Sequence, residues 1–206
     1  ESLFVVGDYA YLALERLDLD TWGLGVVDVS DPQNPSRVGF LETKVGTEVK
    51  ESRKVFMEGD YAYIACVSTV EGSGTWLFVA DVSDPANPTE AGKLEVTAKS
   101  WTAPGSLHVV YPYAYVTVRL AAEGFQVVDI SDPTNPTPRA KYEAPRDVLW
   151  LHASDDYLYV ASDERLWLYD ISALEEPTLV SSYAEWPDLR RIFVQGDYLY
   201  ALTWDD

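Results

Sequence analysis

Two histidines are the residues of this 206-residue sequence whose chemistry comes nearest to catalysis, because imidazole can transfer a proton or ligate a metal near neutral pH. His108 and His152 each stand three residues before a short turn motif. Phe4, Phe56 and Phe193 occupy the equivalent position elsewhere in the chain. The pattern leaves two interpretations open: an acid–base or metal site built from neighbouring repeats, or a buried packing position that a neutral imidazole fills as phenylalanine does.

An arginine adds to the first interpretation. Arg191 precedes Phe193 by two residues, so it would point the same way along the innermost strand of a repeat. His108, His152 and Arg191 are therefore the candidate catalytic residues. A metal would need a third ligand, to which the sequence does not point. Gly-x-Ser-x-Gly, His-Glu-x-x-His, glycine-rich phosphate loops and dinucleotide fingerprints are absent as well, so the sequence favours a non-enzymatic function.

Tryptophans form the second group of candidates. Most of the seven fall in or beside segments whose sequence varies from repeat to repeat. Tryptophans on an exposed face suit stacking on sugars or anchoring a protein partner. The alternative is that these rings pack between repeats and close the rim. The candidate binding residues are Trp22, Trp76, Trp101, Trp150 and Trp186.

Acidic residues give only weak metal candidates. The pair Asp18-x-Asp20 could contribute oxygens to Ca²⁺, but an EF-hand loop has more ligands and a fixed glycine. We predict no cofactor, and Ca²⁺ at these two residues is kept only as a weak candidate. Four further aspartates recur at strand ends, where turn capping is favoured over a ring of metal ligands. They are Asp28, Asp81, Asp129 and Asp170.

Composition limits the partners. The chain has 34 Asp and Glu against 15 Lys and Arg, a net charge of −19, which disfavours binding to nucleic acid. No apolar run reaches the length of a membrane-spanning helix. Cys66 is the single cysteine, so neither an intrachain disulfide nor a cysteine zinc site can form. Hydrophobic residues make up 47% of the chain, enough to fill a core.

Internal repetition is the most informative feature. The block Gly-Asp-Tyr-Ala-Tyr occurs at residues 7–11 and 59–63, with looser copies beginning at residues 111, 155 and 196. A second block, Val-Val-Asp-Val-Ser-Asp-Pro-Gln-Asn-Pro, lies at residues 26–35. Its later copies occupy residues 79–88, 127–136 and, in decayed form, 168–177.

Each repeat contains four short runs rich in Tyr, Val, Ile and Phe, bounded by turn residues, and no helical period. In the third repeat the predicted strands are 107–110, 113–118, 125–130 and 139–142. This pattern predicts an all-β fold: a β-propeller of four-stranded antiparallel blades, with four complete repeats plus the first two strands of a fifth.

We expect residues 1–206 to form a single domain that is part of a larger propeller. The predicted repeats span about residues 1–53, 54–105, 106–149 and 150–189, with a partial repeat at 190–206.

The two repeated blocks resemble the LVIVD repeat, and the resemblance covers nearly the whole chain. It implies a propeller-type fold and a bacterial or archaeal protein that is secreted or displayed at the cell surface. It contributes no catalytic residues, because the family is largely uncharacterised.

The turns between the first two and the last two strands of a repeat are constant, whereas the other loops vary. This asymmetry predicts a scaffold face and a working face. We therefore expect an extracellular or cell-surface scaffold that binds a protein or glycan through its tryptophan-rich loops. The alternatives are a hydrolase, lyase or oxidoreductase around His108 and His152, or an architectural envelope or filament subunit. Further copies of the chain, or the rest of the propeller, are the other expected partners.

Overall fold

The computed structural model shows a chain built from β-strands. It describes residues 2–16, 21–68, 74–98, 104–118, 124–143, 148–162, 165–184 and 189–203. Within these ranges no residue is helical, and hence no helix that could cross a membrane is present there. The chain divides into two compact units, residues 1–104 with 132–136 and residues 105–131 with 137–206.

Unit 1 contains two antiparallel sheets, each with strands in sequence order. Blade one comprises β1 (Ser2–Val6), β2 (Tyr9–Arg16), β3 (Thr21–Asp28) and β4 (Ser36–Glu42). Blade two comprises β5 (Lys44–Val45), β6 (Glu48–Glu58), β7 (Tyr61–Ser68), β8 (Thr75–Asp81) and β9 (Thr89–Thr97).

Unit 2 has two four-stranded sheets and a hairpin. Blade three comprises β10 (Leu107–Val110), β11 (Tyr113–Thr117), β12 (Phe125–Asp129) and β13 (Thr137–Tyr142). Blade four comprises β14 (Val148–Ser154), β15 (Tyr157–Ser162), β16 (Leu166–Asp170) and β17 (Thr178–Tyr183). The hairpin pairs β18 (Leu189–Gln195) with β19 (Tyr198–Thr203).

The all-β prediction of four-stranded antiparallel blades and two strands of a fifth is confirmed. The predicted strands of the third repeat agree with β10–β13 to within two residues at each end. The short β5 is an addition that the repeat pattern did not predict, and it pairs with the start of β6. That all 206 residues form one propeller domain stays a prediction.

Two-residue turns join the first two strands of each blade. Gly7, Gly59 and Gly196 each have φ of +56° at the first turn position, a conformation that glycine adopts without strain. Asp155 takes the same position in blade four with φ of +52°. The third hairpin turns through a cis Tyr111–Pro112 bond.

The second repeated block caps its own turn. The Asp28 carboxylate accepts hydrogen bonds from the backbone N–H and the hydroxyl of Ser30, at 2.9 and 2.6 Å. Three residues on, Asp31 accepts bonds from the N–H of Gln33 and the amide of Asn34, at 2.9 and 2.7 Å. These bonds hold the pKa of both carboxyls below the usual range, because they favour the ionised form. Serine backbone bonds to the strand-end aspartates recur at Asp81, Asp129 and Asp170.

Apolar faces of neighbouring blades form the core of each unit. In unit 1, Leu24 and Val26 of blade one pack with Val55 and Met57 of blade two. In unit 2, Phe125 of blade three belongs to a cluster completed by blade four. Alternation along each strand is what brings these side chains to one face.

The capped turn also fits against the preceding blade. Gly39 of β4 faces the backbone carbonyl of Pro85, and Gly92 of β9 faces that of Pro133, so closely that a Cβ at either glycine would overlap the oxygen. In unit 2 the position of Gly92 is held by Ala140. There the turn of blade four contacts blade three differently, since the Tyr115 hydroxyl donates a 2.8 Å hydrogen bond to the carbonyl of Leu174.

Replacing Gly92 by alanine should therefore destabilise the protein. We expect Gly92→Ala to lower the free energy of unfolding by about 1–3 kcal/mol, because the obstructing atom belongs to the backbone. Chemical denaturation measures this change. Ala140→Gly is the matched control and should cost no more than about 1 kcal/mol. Equal stability of Gly92→Ala and the parent chain would contradict the close fit.

Candidate functional site

A β-bulge recurs on three of the innermost strands, at the same distance before their equivalent aromatic residues. The register shifts fall between Ser52 and Lys54 in β6, between Val148 and Trp150 in β14, and between Leu189 and Arg191 in β18. A bulge turns the strand locally and changes the direction of the side chains around it. The candidate residues lie beside these bulges and at the starts of neighbouring strands.

A buried lysine forms the centre of the site in unit 1. Lys50 is 1% exposed, and its ammonium pairs with the carboxylate of Glu48. The same ammonium donates a 3.2 Å hydrogen bond to the Ser68 hydroxyl and lies 5.6 Å from the ring centroid of Trp76. Ser68 in turn donates to Glu48. This Lys50 cluster (Glu48, Lys50, Ser68 and Trp76) thus compensates a buried charge, which would be costly alone.

Small polar groups adjoin the Lys50 cluster. The Thr43 hydroxyl donates a 2.7 Å hydrogen bond to the backbone carbonyl of Lys50 and lies 2.8 Å from the Ser52 hydroxyl. The Cys66 thiol donates to Ser52 at 3.7 Å. Burial raises the pKa of Cys66 to about 12, so the thiol stays protonated and is a poor nucleophile.

A second tryptophan–cation pair lies in the same unit. The guanidinium of Arg53, the bulged residue of β6, lies 5.4 Å from the ring centroid of Trp22 and pairs with Glu51. Nε of Arg53 and Nε1 of Trp76 are both buried, and neither has a hydrogen-bond partner in the part of the chain that the structure describes. Two donors of blade two, one in β6 and one in β8, are therefore unsatisfied among the described residues.

The two histidines lie together in unit 2. The ring centroids of His108 and His152 are 5.0 Å apart, with the planes at 72°. His152 also contacts Phe193, at 5.3 Å. In unit 1 the equivalent residues Phe4 and Phe56 make the same kind of contact, at 4.8 Å. Contact between the histidines, expected from their repeat positions, is present, and its geometry is that of aromatic packing.

Burial keeps both imidazoles neutral. It lowers the pKa of His108 to about 3, with the neighbouring His152 as a second cause. Burial also lowers the pKa of His152. Neutral imidazoles can accept a proton in principle, but here each would have to do so in a poorly hydrated position.

The third catalytic candidate has an aromatic partner. The guanidinium of Arg191 lies 4.9 Å from the ring centroid of Trp150. Trp150 is partly buried and packs against a small cluster that includes Ala161, Leu189 and Ile192. Arg191 and Trp150 are the residues that directly follow the bulges of β18 and β14.

Several candidates fall outside the described residues. The possible calcium ligands Asp18 and Asp20 are among them, as are Trp101 and Trp186. Among the residues that the structure does describe, no group of three or more His, Cys, Asp or Glu side chains could hold a metal ion. Calcium at Asp18 and Asp20 and binding by the two tryptophans stay predictions.

Sequence reasoning named Trp76 but missed its partners in the Lys50 cluster, and it missed Arg53. A signal was present, because residues 42–53 contain three acid-x-base pairs in a chain with few bases. Each becomes an ion pair in the structure, namely Glu42–Lys44, Glu48–Lys50 and Glu51–Arg53. The spacing alone could not show that Lys50 points inward.

Comparison with known proteins agrees with the repeat pattern. The family model of the LVIVD repeat matches four times, at residues 1–43, 51–96, 105–143 and 145–185. No curated protein matches the chain in sequence.

Two solved structures share the β-propeller fold. One is a periplasmic gluconolactonase from Pseudomonas aeruginosa, with a TM-score of 0.72 and 15% identity over 95% of this chain. The other is a protein from Lactobacillus plantarum, with a TM-score of 0.70 and 12% identity over 93% of this chain. The chain spans 60% and 57% of the lengths of these two proteins. Such low identities show the fold alone.

The histidine pair should make stability depend on pH. Between pH 6.5 and about 3 the unfolded chain binds more protons than the folded chain, so stability falls as the pH falls through this window. From pH 7 to pH 5 we expect His108 to reduce the free energy of unfolding by about 1–2 kcal/mol, measured by urea denaturation at both pH values.

The variant His108→Phe/His152→Phe copies the residue found at the other equivalent positions and provides the control. Its unfolding free energy should change little between pH 7 and pH 5, because the capping aspartates titrate below this range. An equal loss in the variant and the parent would assign the effect to other groups.

Proposed function

The chain belongs to the LVIVD-repeat family, and we propose that it serves as a non-enzymatic scaffold that binds a protein or glycan partner outside the cytoplasm. Two considerations support a periplasmic or cell-surface location. Members of this family are mostly secreted or surface proteins, and one structural neighbour is a periplasmic protein. The net charge of −19 fits a protein that avoids nucleic acid and anionic surfaces.

The observation that carries this proposal is a cation over each of three tryptophan rings near strand starts. The pairs are Arg53 with Trp22, Lys50 with Trp76, and Arg191 with Trp150. A cation held against an aromatic ring restricts both side chains. Binding to side chains restricted in this way loses less conformational entropy than binding to mobile side chains.

The unsatisfied donors indicate what the ligand offers. Nε1 of Trp76 and Nε of Arg53 are buried donors, and an incoming hydroxyl or carbonyl oxygen would satisfy them. Sugar hydroxyls and peptide carbonyls both provide such oxygens. Because the chain is strongly acidic, the ligand should be a neutral glycan or a neutral to basic peptide segment.

Removing the rings should weaken binding without unfolding the protein. We expect Trp22→Ala and Trp76→Ala, both in unit 1, each to reduce affinity by about 10- to 100-fold for a ligand selected on a glycan array or from surface proteins. Calorimetric titration gives the affinities. Tyr111→Ala is the matched control, since Tyr111 is an exposed aromatic residue in the turn between β10 and β11 and makes no cation–ring pair of the kind described for Trp22 and Trp76 in the described part of the chain.

Two results would refute the binding role of these tryptophans. One is unchanged affinity in both tryptophan variants. The other is equal loss in Tyr111→Ala, which would assign the effect to general surface properties.

A second candidate function is hydrolysis, and the contact between His108 and His152 is what favours it. One structural neighbour is a gluconolactonase, although an identity of 15% transfers no activity. If the histidines are catalytic, His108→Phe/His152→Phe should abolish any lactonase activity of the purified chain. Activity that survives in this variant would exclude them.

A further inference from the structure

At each described blade junction, the turn between the last two strands of one blade contacts the preceding blade. In unit 1 the turn of blade two fits against Gly39 of the preceding blade, and the turn containing Pro133 fits against Gly92. In unit 2 the turn of blade four contacts blade three through the hydrogen bond from Tyr115 to Leu174. The register position of Gly39 and Gly92 is taken in blade four by Ser181 of β17.

The strand around Ser181 is uncovered. Every residue of β17 is exposed, and Leu179 and Val180 are each more than half exposed. In blade three the same strand is partly covered. Tyr142 of β13 stacks on Phe125 at 4.8 Å, and Tyr169 from the third strand of blade four contacts it at 6.0 Å. A third strand of a following blade is therefore what covers this surface where one is present.

The hairpin β18–β19 covers only the inner part of blade four. Leu189, Ile192 and Val194 are buried on one face of the hairpin, and the first two join a cluster with Ala161 of blade four. Its other face exposes Phe193 and three residues of β19. Those three residues, each more than half exposed, are Tyr198, Tyr200 and Leu202.

One edge of β19 is open to pairing. In the described part of the chain β19 pairs with β18 alone, whereas β2, β7, β11 and β15 each pair with a third strand. The sequence of β19 contains no Lys, Pro or acidic residue, the types that commonly protect an exposed edge from pairing. An edge of this kind favours the addition of another strand.

We propose that the open edge of β19 and the outer surface of β17 bind a pair of antiparallel strands of the LVIVD type. The first strand pairs with β19, and the turn that connects the two strands lies on Ser181. Continuity with the blade junctions of unit 1 supports this occupant, because Gly39 and Gly92 present the same register position to such a turn. The proposal rests on the blade contacts and is independent of the proposed ligand.

The side chain at position 181 selects between two kinds of turn. Gly39 and Gly92 leave no room for a Cβ beside the first proline of an Asp-Pro-x-Asn-Pro turn. Ser181 carries a Cβ at the equivalent position. Blade three has Ala140 at this position, and it contacts the decayed turn Ala-Leu-Glu-Glu-Pro of residues 173–177 through the hydrogen bond from Tyr115 to Leu174. The partner of blade four should therefore have a turn of the decayed type rather than Asp-Pro-x-Asn-Pro.

Two synthetic peptides copied from this chain test the proposal. The first has the sequence of residues 165–184, with the decayed turn, and the second that of residues 124–143, with the proline turn. We expect the first peptide to bind more tightly in calorimetric titration and to slow hydrogen exchange of the β19 amides. Ser181→Trp should weaken its binding by about tenfold or more, because the indole occupies the place of the turn.

Ser182→Trp provides the matched control, since Ser182 neighbours Ser181 on an exposed strand but points to the opposite face. It should leave peptide binding within about twofold. Equal loss in the two variants would mean that the turn does not lie on Ser181 and would overturn that part of the proposal.

A fusion of the peptide to the chain gives a second form of the experiment that does not depend on the solubility of the free peptide. In it, a copy of residues 165–184 is joined by a short linker after residue 206. We expect this chain to show slower exchange in β19 and a higher melting temperature than a chain extended by a scrambled copy. No protection of β19 in either format would overturn the proposal. So would a dimer of the parent chain that protects β19 and that the peptide cannot dissociate.

Discussion

The burial of apolar sheet faces against the next sheet is the constraint on which this structure depends. A four-stranded antiparallel sheet has no interior of its own, so each blade needs a neighbour to remove its apolar residues from water. Leu24 and Val26 meet Val55 and Met57 in this way in unit 1. The repeated sequence supplies the same faces each time, and the packing of one blade therefore sets the requirements for the next.

The capped turn of one blade packs against the preceding blade and so forms part of the interface between them. Its aspartates fix the backbone by accepting hydrogen bonds within the turn, as Asp28 and Asp31 do. A rigid turn can then fit closely against a strand of the preceding blade, and glycine is present where that fit is tightest, at Gly39 and Gly92. The turn is thus part of the interface between blades as well as a connection between strands.

The innermost strands carry charged and aromatic candidate residues at the positions where bulges interrupt their regular pairing. Arg53 is the bulged residue of β6, and Trp150 and Arg191 directly follow the bulges of β14 and β18, where the strand changes direction. Regular pairing resumes after the bulge, and two residues beyond Trp150 and Arg191 the rings of His152 and Phe193 pack against each other. Binding groups and packing groups are in this way separated along a single strand.

The sequence by itself determined the fold class, the four repeats of this chain and the hairpin turns, since these depend on local patterns: alternating apolar residues, glycine at turns and aspartate at strand ends. It also placed His108 and His152 in contact through their equivalent repeat positions. Only the tertiary structure decided that Lys50 is buried against Glu48 and Trp76, and that cations cover three tryptophan rings. Those contacts join different strands, and in two of the three pairs different sheets, so they depend on how the strands and sheets pack rather than on any local pattern.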